Sequence, residues 1–342
     1  MLKKRPLPGW LAGLIDHGFF VYNDLFFRDR EVRGSPRLRE DRFDGDGIPV
    51  RRLDHFFSRV REPAPLAVVP GSERTRNGCR IHDFTYASPI LTGDAHNDVV
   101  RGRRYERRSD PTAPAVVLVL PYRQIAYFPF DLFAARLARA GFQAAILQTP
   151  YHLNRRSRRG TPGDGIATAD LRSSFKAIRQ GVKDLSALVE RFRADGATSV
   201  GVFGMSLGSL ISGHLAASDP DLAFAVLTAP AFCPGTILLR SNIFRRLRGN
   251  FRRLGLTIPQ AAALLSAVHL DRRRPRVQPE RILIVKAEHD RIVPPEEVER
   301  LWELWGRPPI RRLSQGHISV LFDPTFLPAV FEHLDRVGAR PR

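Results

Sequence analysis

Cysteine is scarce in this chain, and its apolar stretches are short. Only Cys79 and Cys233 occur among 342 residues, which is too few for a disulfide framework, and their positions match no metal-ligand spacing. No apolar run reaches the roughly 18 residues that a membrane-spanning helix needs. These absences argue against a disulfide-rich secreted domain and an integral membrane protein, and they favour a reducing, cytoplasmic setting.

A complete leader signal is also missing. Lys3, Lys4 and Arg5 precede the apolar stretch 10–15, in the order found in signal peptides. The stretch is too short, however, Asp16 ends it, and no small-x-small cleavage site follows. We therefore expect the mature protein to begin at Met1.

Lysine is rare although the chain is strongly basic. Only five of the 54 basic residues are lysine, and the formal net charge is +19. Such a charge is typical of proteins that bind nucleic acid, an anionic membrane or an acidic substrate. An excess of arginine also arises in GC-rich genomes, and no known nucleic-acid-binding module accompanies it. We therefore expect no nucleic-acid partner.

Apolar patterning predicts strands that alternate with helices. Residues 115–120 form a continuous, valine-rich run, as expected of a strand buried on both faces. Helical spacing follows at 129–141 and again at about 167–194. This alternation predicts an α/β fold, with a mostly parallel sheet flanked by helices. The remaining predicted strands lie at 79–86, 98–106, 142–148, 199–203, 222–227 and 281–286, and the closing helices at 294–305 and 323–335.

Composition divides the chain into three parts. Residues 1–60 mix aromatic and charged residues and predict a helical extension, and Pro63 and Pro65 mark a plausible boundary. The core is expected at 61–231 and 281–342. Residues 232–280 lie between two predicted strands and hold ten Arg against two acidic residues. We interpret this segment as a basic lid or cap with two amphipathic helices.

The pentapeptide Gly204-Met-Ser206-Leu-Gly208 closes one predicted strand and opens a helix. This context is required for a nucleophile elbow, in which a tight turn projects the serine from the sheet. Glycine on either side allows the close approach that the turn demands. Ser206 is therefore the candidate nucleophile.

A serine hydroxyl needs a base, and the base needs an orienting acid. Asp290 lies just past the strand predicted at 281–286, and His317 follows a short extended segment. Both come after Ser206, in the order Ser, acid, His that hydrolases with such an elbow show. Glu288 is an alternative acid, because strand alternation places it on the same face as Asp290.

These residues resemble the α/β-hydrolase superfamily over about residues 79–342. The resemblance rests on the pentapeptide, on Asp290-Arg-Ile-Val-Pro294 and on Gly316-His317. It implies the α/β-hydrolase fold and a triad of Ser206, Asp290 and His317. Gly316-His-Ile-Ser319 and Pro150-Tyr151 resemble the branch around α/β-hydrolase domain-containing protein eighteen.

The resemblance also implies an oxyanion hole. One donor is expected at the backbone N–H of Leu207, and the other in the loop after strand 115–120. The superfamily often has His-Gly in that loop, whereas this chain has Pro121-Tyr122-Arg123-Gln124. The second donor is therefore the N–H of Tyr122 or of Arg123.

The expected function is hydrolysis of a carboxylic ester, small or lipid-like, without metal or organic cofactor. An acyltransferase or a peptidase on the same triad is an alternative, because these share the acyl-enzyme. A non-catalytic protein that binds lipid or a partner is another. The basic segment 232–280 either covers apolar core or contacts an anionic membrane, and the oligomeric state is left open.

Polar residues outside this set receive simpler interpretations. The other histidines, including His152, His214 and His269, are expected to be surface or hydrogen-bonded structural residues. Arg155, Arg156, Arg158 and Arg159 form either a solvated loop or an anion contact near the site.

Overall fold

One sheet organises residues 53–341. In the computed structural model, which describes residues 14–16, 18 and 53–341, ten strands of this part of the chain form a single mixed sheet in the order β1-β3-β4-β6-β5-β7-β8-β9-β10, with β2 paired to β3. The strands are β1 (Ala67–Val68), β2 (Arg74–Arg76), β3 (Cys79–Ala87), β4 (Val99–Glu106), β5 (Ala115–Val119), β6 (Gln143–Leu147), β7 (Val200–Met205), β8 (Ala225–Thr228), β9 (Ile282–Ala287) and β10 (Ile310–Leu313).

The sheet is parallel where the candidate site lies and antiparallel at one side. Strands β6, β5, β7, β8, β9 and β10 pair in parallel. Strands β3 and β4 pair antiparallel, as do β4 and β6. The helices that accompany them are α1 (Leu53–Phe56), α2 (Phe130–Arg139), α3 (Leu171–Ala194), α4 (Leu207–Ala216), α5 (Pro234–Arg240), α6 (Arg245–Arg253), α7 (Ile258–Leu265), α8 (Pro295–Leu304) and α9 (Phe326–Arg336).

Both faces of the sheet are buried, as the apolar run in the centre predicts. In β5, Val117 and Val119 belong to one hydrophobic cluster, whereas Val116 and Leu118 belong to a second cluster on the other face. Helices α3 and α4 pack into the first cluster, and α2 and α9 into the second. The predicted α/β architecture is confirmed.

Most predicted elements are present, with shifted ends. The helix predicted from about 167 begins at Leu171, where the Asp170 side chain accepts the N–H of Ser173 and caps it. The last helix begins at Phe326 instead of residue 323. The start at Leu171 coincides with this side-chain cap, which periodicity does not reveal.

The segment between β8 and β9 contains three helices, α5, α6 and α7, instead of the two expected. Part of the basic charge of this segment lies on arginines that bind other groups of the protein. Arg273 is buried, and its guanidinium lies 3.0 Å from Asp54 Oδ1 and donates to the carbonyl of Ala217. Arg248 donates to the carbonyls of Leu238 and Ser241.

Arg155 is not part of a solvated loop or an anion contact, so both expectations for it are wrong. Its guanidinium is fully buried, forms an ion pair with Asp184 at 2.8 Å and donates to the carbonyls of Asn97 and Gln148. The neighbouring Arg156 is exposed, as are Arg158 and Arg159. A buried cation requires such partners, and sequence patterning does not show them.

The extension predicted at 1–60 is described only in part. Its described residues are helical at Leu14, Ile15, Asp16 and Gly18, and again in α1. Phe56 and Phe57 are buried, and Phe57 stacks on His214 at 3.8 Å between ring centroids. Residues 1–13, 17 and 19–52 of the extension lie outside the described residues. No helix in the described part of the chain has the length and apolar character to cross a membrane.

Candidate active site

Ser206 occupies a strained turn between β7 and α4. Its backbone has φ 54° and ψ −116°, outside the regions that L-residues favour. The Ser206 N–H donates to the carbonyl of Thr228, at the end of β8, over 2.9 Å. The side chain therefore projects where the parallel strands end, at the edge of the sheet where open α/β folds bind ligands.

Two glycines make this turn possible. A Cβ atom at Gly208 would lie 2.1 Å from the Val119 carbonyl oxygen, and one at Gly204 would lie 2.3 Å from the Gly208 carbonyl oxygen. Neither neighbour is a flexible side chain, so a larger residue would move the backbone. Glycine is therefore needed at both positions because backbone atoms lie so close to them. Backbone conformation is not the reason, since neither glycine has a positive φ.

A residue without a recognisable sequence motif also fixes the turn. The Ser209 hydroxyl lies 2.8 Å from the Gly204 carbonyl oxygen and 2.9 Å from that of Thr228. It thereby links the end of β7, the start of α4 and the end of β8. A serine one turn into a helix has no distinctive sequence signal, because its role depends on a neighbouring strand.

Asp290 and His317 are in direct contact. The His317 Nδ1 lies 2.7 Å from Asp290 Oδ2, and both side chains are almost fully buried. The other carboxylate oxygen accepts the backbone N–H groups of Ile292 and Val293, each over 2.8 Å. The alternative acid Glu288 is exposed. The geometry therefore favours Asp290 as the partner of His317.

Two opposing effects set the pKa of His317. Burial lowers it, but the charge of Asp290, the hydrogen bond to it and the charge of Asp16 raise it, so the pKa lies above its ordinary value of 6.5. The surroundings thus stabilise the imidazolium form, which a general base adopts after accepting a proton.

Ser206 and His317 line the same cavity. It has a volume of about 140 Å³ and a wall that is mostly apolar, including Ile178 and Leu210 from the core. The segment between β8 and β9 contributes further wall residues, among them Ile237 and Leu247. The candidate nucleophile and base therefore open onto one apolar pocket, which residues far apart in the sequence enclose.

The residues considered for the oxyanion hole differ in their contacts. Leu207 begins α4, where the first N–H groups have no intrahelical acceptor. Tyr122 and Arg123 both line the cavity. The Arg123 N–H, however, donates to His152 Nε2 over 2.9 Å. This hydrogen bond speaks against Arg123 as the second donor, because its N–H already has an acceptor.

Other histidines serve structural hydrogen bonds. His152 is fully buried, and burial lowers its pKa to about 3. His269 accepts the N–H of Gly235 through Nε2, and His214 Nε2 lies 3.2 Å from the carbonyl oxygen of Val268. In residues 14–16, 18 and 53–341, no three His, Cys, Asp or Glu side chains are grouped so as to hold a metal ion.

Among the residues that the structure describes, Asp16 is the one farthest from His317 in the sequence that contacts the site. Its carboxylate is fully buried and accepts the N–H groups of His317 and Ile318, over 2.8 and 3.1 Å. In the sequence, Asp16 marks only the end of an apolar run. No local pattern predicts a contact across 301 positions.

Solved structures share this arrangement of strands and helices. Acetyl xylan esterase 1 from Thermoanaerobacterium sp. JW/SL YS485 superposes with a TM-score of 0.63 at 14% identity, over 84% of this chain and 93% of the other. An acetyl xylan esterase from Paenibacillus sp. R4 gives 0.58 at 16% identity, over 85% and 92%. The S-formylglutathione hydrolase from Agrobacterium tumefaciens gives 0.51 at 14% identity, over 79% and 99%.

The chain has the α/β-hydrolase fold. No protein-family model matches its sequence, and no curated protein matches it. At such low identities the likeness establishes the fold and leaves the activity to be argued from the site. In this α/β-hydrolase fold, Ser206, Asp290 and His317 follow β7, β9 and β10, respectively.

The elbow geometry predicts that Gly208→Ala impairs the site. The new Cβ would overlap the Val119 carbonyl oxygen, so Ser206 would shift, and a displacement of about 1 Å lowers turnover on the order of a hundredfold. Turnover of a p-nitrophenyl ester and thermal unfolding would measure both effects.

Gly249→Ala is the matched control. Gly249 lies within α6, and apart from its chain neighbours and the backbone of its own helix, no heavy atom lies within 4 Å of the added Cβ. We expect unchanged turnover and a free energy of unfolding that is equal or higher by up to about 1 kcal/mol. Equal turnover in the Gly208→Ala and Gly249→Ala variants would contradict the view that the short distance between Gly208 and the Val119 carbonyl requires glycine at the elbow.

Proposed function

We propose that this protein is a serine hydrolase that cleaves carboxylic esters through Ser206, His317 and Asp290. One observation carries the proposal: the strained Ser206 and His317, which is hydrogen-bonded to the buried Asp290, line one apolar cavity. A strained residue is retained where function requires it. The names of the similar structures, esterases and a hydrolase, support the same reaction class.

In the proposed mechanism, His317 Nε2 accepts the proton of Ser206 as Oγ attacks the ester carbonyl carbon. Asp290 holds His317 through Nδ1 and stabilises the imidazolium that forms. His317 then donates the proton to the leaving alkoxide, which departs as an alcohol. Water, activated by His317, releases the acid from Ser206 in the second half of the reaction.

The negative charge on the carbonyl oxygen needs donors that are already in place. We propose the N–H of Leu207, at the start of α4, as the first donor. We propose the N–H of Tyr122 or of Arg123 as the second, and that of Arg123 donates to His152 Nε2. Fixed donors near a helix N-terminus also benefit from its partial positive charge.

The cavity indicates a small apolar acyl group. A cavity of about 150 Å³ accepts benzene, and the pocket at Ser206 has about 140 Å³. Ile237, Ile243 and Leu247 from residues 232–280 line this cavity. We therefore propose that the segment is a cap that limits the length of the acyl chain.

Replacing Ser206 with Ala should remove the nucleophile while the fold is retained. We expect loss of labelling by a fluorophosphonate, and a fall in ester turnover by at least about a thousandfold. In-gel fluorescence and a p-nitrophenyl acetate assay measure these effects.

Ser212→Ala is the matched control, because Ser212 is a fully buried serine of α4, the helix that follows Ser206, and does not line the cavity. It should be labelled like the unsubstituted protein. Labelling of the Ser206→Ala variant at the original rate would refute the assignment. Product analysis with an added alcohol distinguishes hydrolysis from acyl transfer.

Acyl-chain preference tests the cavity. In a series of p-nitrophenyl esters, we expect kcat/KM to fall beyond about six acyl carbons, the number in benzene. Leu247→Ala enlarges the pocket and should move this limit to longer chains. A limit unchanged in this variant, or equal kcat/KM for short and long chains in the unsubstituted protein, would contradict the acyl-pocket assignment.

Contact of residues 232–280 with an anionic membrane is a further proposal. Arg252 and Arg253 are exposed on α6, whereas Arg248 and Arg273 of the same segment donate to backbone carbonyls. Each arginine near an anionic surface contributes up to about 1 kcal/mol. We expect sedimentation with phosphatidylserine vesicles to weaken with salt and, in an Arg252→Gln/Arg253→Gln variant, by up to about thirtyfold.

The exposed pair Arg158 and Arg159 provides the control. Changing both to Gln should leave vesicle binding near its original strength, since they lie outside the segment. Absence of binding at low salt, or equal losses in the two double variants, would reject a specific contact through α6.

The branch around α/β-hydrolase domain-containing protein eighteen is also proposed here. It rests on Gly316-His-Ile-Ser319 and on Pro150-Tyr151. Gly316 donates its N–H to Ser319 Oγ over 2.9 Å, so the first stretch closes a local turn around His317. If sequences of that branch lack both stretches, the proposed relationship is refuted.

A further inference from the structure

Asp16 contacts the loops that carry both the candidate base and the candidate acid. Its Oδ2 accepts the N–H of His317 over 2.8 Å, and its Oδ1 accepts that of Ile318 over 3.1 Å. The N–H of Arg291, the residue after Asp290, lies 3.3 Å from Oδ2. One carboxylate therefore joins two loops that follow different strands.

This carboxylate is buried, and the contacts suit its ionised form. Asp16 is fully buried, and an ionised carboxylate only accepts hydrogen bonds. Consecutive N–H groups of a turn form a concave site for an anion. Burial and the charge of Asp290 raise the pKa of Asp16 above its ordinary value of 3.8, although His317 and the N–H donors lower it in part.

The loop at His317 needs such a partner. Backbone N–H groups in a buried turn are costly when they have no acceptor, and residues 315–317 are buried. Neither the sheet nor the following turn accepts the N–H groups of His317 and Ile318; Asp16 does. The N-terminal helical residues thus complete a site that lies in the hydrolase core.

We propose that Asp16 is a positioning residue that fixes the His317 loop and stabilises the His317 imidazolium through its charge. This inference rests on the proposed function, because it assigns Asp16 a part in the proton transfer from Ser206. Asp290 remains the residue that contacts the imidazole directly. Asp16 acts through the backbone and at longer range.

The charges around His317 predict the direction in which its pKa should change when Asp16 is replaced. Within the described part of the chain, Asp290 and Asp16 are the charged groups that act on the imidazole, and both raise its pKa. His317 must be neutral to accept a proton, so activity falls as the pH drops through this pKa. Removal of the Asp16 charge should move that fall to lower pH.

Asp16→Asn tests the role with nearly the same volume. We expect kcat to fall by about tenfold to a hundredfold, because the loop is displaced, with KM little changed. The rate of fluorophosphonate labelling should fall in parallel. The acid limb of the kcat/KM profile should have its midpoint at lower pH than in the unsubstituted protein.

Two further variants separate positioning from general destabilisation. Asp16→Glu keeps the charge but adds a methylene, so we expect lower kcat with the acid midpoint unchanged. If Asp16→Asn does not fold, Asp16→Glu still tests the positioning of the His317 loop, and an unchanged kcat in Asp16→Glu then overturns the inference. Asp219→Asn removes another fully buried carboxylate, which follows α4 at the end away from Ser206 and pairs with Arg59 and Arg193. It should alter thermal unfolding and leave the acid midpoint in place.

An NMR titration of the His317 imidazole gives a reading independent of turnover, with His317→Gln used to assign the signal. A lower pKa in Asp16→Asn supports the inference even if no ester is hydrolysed, in which case the proposed function alone fails. An unchanged His317 pKa together with unchanged kcat in Asp16→Asn overturns the inference. A fall in kcat equal to that of Asp219→Asn, with no change in the acid midpoint, does so too.

Discussion

The turn at Ser206 is the constraint on which the site depends. Its φ of 54° and ψ of −116° cost on the order of 1–3 kcal/mol, which the surrounding structure must offset. The close contact between Gly208 and the Val119 carbonyl, and the hydrogen bonds of Ser206 and Ser209 to Thr228, hold the turn in place. Strain at one residue is thus supported by three parallel strands, β5, β7 and β8.

The electrostatic part of the site depends on burial. His317 is surrounded by protein, which by itself disfavours its charged form, yet Asp290 and Asp16 reverse that preference. The interaction of charges is stronger where water is excluded. A cap formed by residues 232–280 would contribute here in the proposed enzyme, since the walls that shape the acyl pocket also limit access of solvent to the imidazole.

Sequence patterning predicted much of the fold because the central strands are buried on both faces. A short, continuous, valine-rich run such as β5 is typical of a strand covered on both sides, and the helices after it show clear periodicity. The predicted helix ends were less accurate where a capping side chain sets the first residue of the helix, as at Leu171. The internal roles of Arg155 and Arg273 were missed, because the partners of a buried cation come from distant segments.

The sequence by itself determined the α/β-hydrolase fold and named Ser206, Asp290 and His317 as candidates in a fixed order. These features are local: a strand, a tight turn and a helix leave their pattern within a few residues. Only the tertiary structure decided that Asp290, and not the exposed Glu288, meets His317. It also decided that the Arg123 N–H donates to His152, that Ile237 and Leu247 from the segment 232–280 line the cavity, and that Asp16 accepts the N–H of His317. Each of these is a contact between segments far apart in the chain, and chain packing alone brings them together.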